Sequence, residues 1–352
     1  MAIRLAARRV LRPDGSLRPA SLVLDGGRIA AVEDLDPSQA EGCPDRTLCP
    51  GLIDIQVNGL GDVDVATGDA DALARLGMTL RQAGTTAWCP TLTSQSLEWY
   101  SDWFSTHARL APGEIGIHLE GPFLTRAGAH RRTLLRAPDA GWLDALPTRV
   151  AIVTLAPELP GALEAISSLR SRGVVVALGH SEATYTDALT AVGRGATLVT
   201  HVFNAMPALQ AREPGLVGAA LTDERLVPAV IGDGVHVHPC VLRLVLSSGP
   251  AVLTTDSVAW DSRGLSVVGG AARLGDGTLA GSVITMAQAL RAAVAAGVGL
   301  GVALTAATTT PAHVLGLSSR GTLVPGARAD VVALDPDLAV TGVWVEGRPI
   351  ER

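Results

Sequence analysis

Eight short apolar runs punctuate the middle of the chain, near residues 52–58, 85–91, 115–120, 149–155, 174–180, 196–203, 227–233 and 251–256. Between them the apolar residues recur at helical spacing, as in Asp69 to Ala83, Pro160 to Arg172, Thr184 to Gly193 and Pro239 to Ser247. Two further helical runs, Thr285 to Ala296 and Thr305 to Leu315, follow the eighth apolar run. Strands alternating with helices eight times predict an α/β fold, a (β/α)₈ TIM barrel occupying residues 50–315.

The two ends carry a different rhythm. Ser21-Leu22-Val23-Leu24 and Arg28-Ile29-Ala30-Ala31-Val32 read as strands, with turn signals at Asp14-Gly15 and Asp25-Gly26-Gly27. Ala329 to Asp335 and Gly342 to Arg348 repeat that texture. Residues 1–49 and 316–352 are therefore expected to form one small β-sandwich domain contributed by both termini.

Composition narrows the class. A chain of 352 residues with 47% hydrophobic content, 39 Gly and 21 Pro suits a globular α/β enzyme. A net charge of -6 without any Lys/Arg block argues against a nucleic-acid surface. Cys43, Cys49, Cys89 and Cys240 form no CxxC pair and are too sparse for a disulfide framework, which fits a reducing compartment. The N-terminus lacks a signal-peptide core and no apolar run has membrane-spanning length, so the expectation is a soluble cytoplasmic protein.

Chemistry gathers where the apolar runs end. One run delivers Glu120 to a Gly-Pro turn; others end in His180, His201 and Asp256. A carboxylate at the end of a buried strand is costly without a partner, and active sites of these barrels sit at the C-terminal ends of the strands. Glu120, His180 and His201 make a three-ligand set of the kind that holds catalytic zinc with one open position. A divalent ion there would lower the pKa of a coordinated water, and Asp256 would carry the proton between that water and the leaving group.

Taken together, Pro50-Gly51-Leu52-Ile53-Asp54, His118-Leu119-Glu120-Gly121-Pro122, Gly179-His180-Ser181, Thr200 to Met206, Asp233-Gly234-Val235-His236 and Gly321 to Asp330 carry a resemblance over nearly the whole chain. The pattern resembles the N-acetylglucosamine-6-phosphate deacetylase family of the amidohydrolase superfamily. The resemblance implies that Glu120, His180 and His201 are metal ligands and Asp256 the catalytic acid/base. It places Ala129, His130, Asn204, Ala205, Arg212 and His236 at substrate, with His130 or His236 to polarise the carbonyl. It further implies that Arg212 reaches the sugar phosphate of a neighbouring subunit in a homodimer, where a guanidinium grips phosphate through paired hydrogen bonds.

The chain departs from that pattern in three places. Gln56 and Asn58 stand where most amidohydrolases carry His-x-His, so one divalent ion per chain is expected, zinc first, with iron, manganese or cobalt as alternatives. The segment Leu124 to His130 is short, lacks the family's lysines and runs into Arg131-Arg132; Ser257-Val258-Ala259-Trp260-Asp261 is bulky after Asp256.

The expected reaction is hydrolysis of the acetamide of N-acetyl-D-glucosamine 6-phosphate. The competing enzyme reading keeps barrel and metal but takes another N-acyl amino sugar, such as N-acetylgalactosamine 6-phosphate, another N-acyl amine or a cyclic amide. A non-catalytic ligand-binding barrel is the reading from a different class, and metal content of the purified protein separates it from the enzymes.

Overall fold

The computed structural model describes residues 2–262 and 264–351. An eight-stranded parallel sheet runs Leu52–Val57, Thr85–Leu92, Ile117–Glu120, Val150–Leu155, Val175–Leu178, Leu198–Val199, Val227–Ile231 and Val252–Thr254, each strand beside its sequence neighbour. All eight apolar runs are thus barrel strands, in the expected order. They are mostly apolar because both faces are covered, as in parallel sheets generally, with Asp54, Gln56, His118 and Glu120 the buried polar exceptions in the first and third strands. Ile53, Ile55, Ala87, Cys89, Ile152, Ala177, Leu198, Ala229 and Val252 fill the inside as one buried cluster. Removing an Ile or Leu side chain from water stabilises by about 1.5–3 kcal/mol, so this layer supplies much of the closing force.

Helices cover the outside with apolar stripes. In Ala70–Gln82, Leu73, Leu76, Gly77 and Leu80 are buried, and the Asp69 carboxylate caps the helix by accepting from the Ala72 N–H at 2.8 Å. A Cβ on Gly77 would stand 2.3 Å from the Pro112 carbonyl oxygen, so only glycine permits that approach. The last helical run differs from the pattern read in the sequence. It begins earlier and is broken, as Leu300–Ala307 and Thr309–Val314, with Thr308 at φ -138° and ψ -72° between them.

Between the first and eighth strands the pairing is reduced, among the described residues, to a single parallel bridge, Val57 with Ser257. The first and eighth strands meet through Asn58 N–H donating to Ser257 O at 2.8 Å, and through the Asp54 carboxylate. Asp54 accepts from the hydroxyls of Thr254 (2.7 Å) and Thr255 (2.5 Å). That places the ends of strands one and eight side by side.

Both termini build one seven-stranded sheet. Thr47–Pro50 lies between Ile3–Leu11, to which it is parallel, and Val331–Leu334, to which it is antiparallel. Leu22, Leu24, Ile29, Leu48 and Val331 are among its own buried cluster. A small antiparallel sheet, Ser266–Val268, Ala271–Arg273 and Leu279–Ser282, extends from the end of the eighth strand. No described helix is long and apolar enough to cross a membrane.

Candidate active site

The strand ends converge on a cavity of about 620 Å³ lined by Asn58, Glu120, His130, His180, His201, Asn204, Ala205, His236 and Asp256. That volume suits a small polar ligand. His180, His201 and Asp256 sit at φ 50°, 28° and 49°, the left-handed region that non-glycine residues avoid. Each follows its strand with a sharp turn that aims its side chain inward. Strain of this kind persists where the surrounding structure enforces it, typically at functional sites.

Three donor atoms form a compact triangle. Glu120 Oε1 lies 2.8 Å from His201 Nε2 and 3.2 Å from His180 Nε2, and the two nitrogens are 3.0 Å apart. The Nδ1–H of His180 donates to the Arg126 carbonyl at 2.8 Å, so the neutral ring turns its Nε2 lone pair into the triangle. The Nδ1 of His201 is buried without a partner among the described residues. A lone pair facing a carboxylate and a second imidazole nitrogen is electrostatically unfavourable alone. Edges near 3 Å are what donors leave around a cation at bond lengths of about 2 Å, so the set fits a divalent metal ion.

His130 approaches the same carboxylate. Its Nε2 is 3.7 Å from Glu120 Oε2, and Glu120, His130 and His180 also offer ligand atoms within 4.8 Å of one another. On its far side, His130 Nδ1 is 2.7 Å from Ser94 Oγ and 3.2 Å from the Ser94 backbone N–H.

The two amides that replace the histidine pair are hydrogen-bond donors here. Gln56 Nε2 donates to Glu120 Oε1 at 2.9 Å, and Asn58 Nδ2 donates to Asp256 Oδ1 at 2.7 Å. Both point their NH₂ groups at acidic oxygens, the reverse of what a cation requires. The protein's own groups also drive the two carboxylates apart. Burial works to raise Glu120, but hydrogen bonding from the imidazoles beside it, His130 first, holds it well below the usual carboxylate range. Asp256 is pushed well up, by burial first and then by the charge of Glu120. Two acids pushed in opposite directions are an arrangement suited to proton transfer.

Of the residues placed at substrate by resemblance, Ala129, His130, Asn204, Ala205 and His236 line the cavity. His236 is tethered by Nδ1 to Asp233 Oδ2 at 2.6 Å, which leaves Nε2 for a ligand. Burial opposes ionisation of Asp233, yet the His236 contact keeps its carboxyl below the usual range. Arg212 is exposed and does not line this cavity. The small sheet after strand eight, unread in the sequence, adds Leu265, Leu274 and Leu279 as an apolar wall. The short 124–130 segment is anchored: the N–H groups of Thr125 and Arg126 both donate to the His180 carbonyl, and Arg126 pairs with Glu182 at 2.9 Å.

The amidohydrolase family profile matches residues 47–350. The chain belongs to the amidohydrolase family. Within that family it is 36% identical over 376 residues to an N-acetylgalactosamine-6-phosphate deacetylase of Escherichia coli O157:H7, covering 98% of each. It is 37% identical over 387 residues to an N-acetylglucosamine-6-phosphate deacetylase of Homo sapiens, covering 96% of this chain and 93% of that one. Among solved structures, an aspartate-to-alanine variant of the Mycobacterium smegmatis N-acetyl-D-glucosamine-6-phosphate deacetylase, in complex with N-acetyl-D-glucosamine-6-phosphate, superposes with a TM-score of 0.90 at 37% identity over the full length of both chains. The expected barrel, terminal β domain and amidohydrolase membership therefore all stand.

Proposed function

We propose that this amidohydrolase cleaves the acetamide of N-acetyl-D-glucosamine 6-phosphate, giving glucosamine 6-phosphate and acetate. The observation that carries the reading is the Glu120–His180–His201 triangle, with edges of 2.8–3.2 Å, sharing one cavity with Asp256. Glu120, His180 and His201 would hold one divalent ion, zinc first. That ion supplies positive charge to polarise the acetamide carbonyl and acidify the attacking water.

The chain's own residues do the rest. Asp256, as the carboxylate, takes a proton from water as the oxygen–carbon bond forms. It returns that proton to the amine nitrogen as the carbon–nitrogen bond breaks. His130 presents a ring nitrogen beside the carbonyl oxygen, and His236 and the Asn204-Ala205 segment orient the sugar. Arg212, exposed and outside its own cavity, would grip the phosphate bound to a partner subunit, so the working form is a homodimer. A reducing, cytoplasmic setting matches Cys43, Cys49, Cys89 and Cys240, all unpaired.

The galactosamine isomer is the second reading. It is favoured by the deacetylase named for that sugar, which matches across 98% of this chain. Acetate release from both 6-phosphates, and from the two unphosphorylated sugars, tests both readings. Turnover of N-acetylglucosamine 6-phosphate above the rest supports the first. A preference for the galactose isomer supports the second, and no acetate from any of the four refutes both.

A further inference from the structure

His130 and His180 are neighbours, with ring centroids 4.5 Å apart, and both face Glu120. Their outer nitrogens meet opposite partners. The Nδ1 of His180 faces a carbonyl oxygen, which only accepts, so His180 carries its proton on Nδ1. The Nδ1 of His130 faces the Ser94 backbone N–H at 3.2 Å, which only donates, and the Ser94 hydroxyl at 2.7 Å. A proton on that nitrogen would confront the amide hydrogen head-on. The Nδ1 of His130 is therefore an acceptor, and its proton sits on Nε2, on the side of Glu120 and the cavity.

The geometry assigns to Ser94 the role of a positioning residue that fixes His130 as a neutral, Nε2–H imidazole, a hydrogen-bond donor and not a metal ligand. Three features make the device stiff. Ser94 is 4% exposed. Gly121, which follows Glu120, lies so close that a Cβ there would stand 2.4 Å from Ser94 Oγ, at φ +89° where a side chain is strained in any case. The His130 backbone is itself tied, its N–H donating to Ala127 O at 2.9 Å. Adjacent histidines thus carry opposite tautomers: one offers a lone pair toward Glu120, the other an N–H. Glu120, His180 and His201 would then hold a metal ion, with His130 left to donate to an oxygen that gains negative charge. Such a donor is useful when neutral, since it stabilises the transition state without first surrendering a proton. This role for the donated hydrogen bond rests on the deacetylase reading; the tautomer does not.

The test is long-range ¹H–¹⁵N NMR of the zinc-loaded protein, with His130→Gln and His180→Gln to assign the rings. The expected result is the Nε2–H pattern for His130 and the Nδ1–H pattern for His180. An Nδ1–H or doubly protonated His130 overturns the assignment. In kinetics, Ser94→Ala should lower kcat roughly tenfold with KM nearly unchanged, because the donor acts mainly in the transition state, and Ser94→Thr should restore it. A Ser94→Ala enzyme with unaltered kcat overturns the positioning role. Should Ser94→Ala fail to fold, the wild-type spectrum and Ser94→Thr still decide. Failure of the deacetylase reading is separate: the expected tautomers with no acetate released from any sugar would remove the reaction and leave the assignment standing.

Discussion

Asn58 Nδ2 and Asp256 Oδ1 are 2.7 Å apart, and the bond joins the end of the first barrel strand to the end of the eighth. It spends the amide's NH₂ group on the proposed acid/base, while Gln56 spends its own on Glu120. Each amide thus meets an acid through its NH₂ group, while Asn58 Oδ1 is buried without a partner among the described residues.

The purified protein should therefore hold close to one divalent ion per chain. Elemental analysis after dialysis checks this, and two tightly held ions would mean that Gln56 or Asn58 rotates to serve as a ligand. Glu120→Gln or His180→Gln should strip the ion.

Asp256→Asn should keep fold and metal but lower kcat roughly a hundredfold or more, the usual scale for a lost general acid/base. The amide would meet the Asn58 NH₂ group, so a small rotation of the side chain is expected as well. Thermal melts and metal content separate loss of chemistry from loss of structure.

Phosphate recognition is predicted to cross between subunits. The 6-phosphate should be preferred over the plain sugar by roughly tenfold to several-hundredfold, the scale of a lost charged contact. Arg212→Ala and Asp256→Asn homodimers should each turn over the phosphorylated sugar poorly. Mixed and reassorted, they should regain activity, because one site in each mixed dimer has Asp256 from one chain and Arg212 from the other. If Arg212 served its own site, every site in the mixture would still lack one of the two residues, and no activity would return.

His118 sets a pH-dependent part of the stability. Burial first, and then the positive character of nearby His201, push its pKa down to about 4 from 6.5, against the pull of Glu120 and Ile55 O. Its Nδ1–H donates to Ile55 O at 2.9 Å, and the Thr154 hydroxyl lies 2.7 Å from Nε2, so the neutral ring is satisfied on both sides. The unfolded chain binds this proton below about pH 6.5 and the folded protein does not, so stability is full above 6.5 and falls as pH drops toward 4. The loss should reach about 3 kcal/mol at most. Urea unfolding across that window should show a shallower slope for His118→Gln than for the parent chain.

Most of the fold was legible because a strand covered on both faces is predominantly apolar, and Asp, Gly and His punctuate where most of these runs stop. The final helix was misread for a reason that is not local. Gly297, Gly299 and Gly301 look like loop, yet a Cβ on Gly301 would stand 2.1 Å from the Gly15 carbonyl oxygen. The glycine answers a distant backbone, which no local pattern reveals. The 266–282 sheet has three short strands among glycine turns and left little periodicity to read. Glu120, His180, His201 and Asp256 were visible because chemistry-bearing side chains stood at strand ends. Ser94 was not, since nothing distinguishes it from other serines until the fold brings His130 to it. Gln56 and Asn58 were seen as missing ligands, and only the geometry shows what they donate to.

The seven-stranded sheet has a consequence for how the chain is made. Thr47–Pro50 lies between a strand from the start of the chain and one that begins at Val331. During synthesis its outer edge must wait for nearly the whole barrel to emerge, on the order of 15–60 s at typical ribosomal speeds. For that interval the nascent protein exposes an unpaired strand edge of Thr47-Leu48-Cys49-Pro50, the kind of edge other chains can pair with. A ribosome that stalls before Val331 would leave that edge open indefinitely.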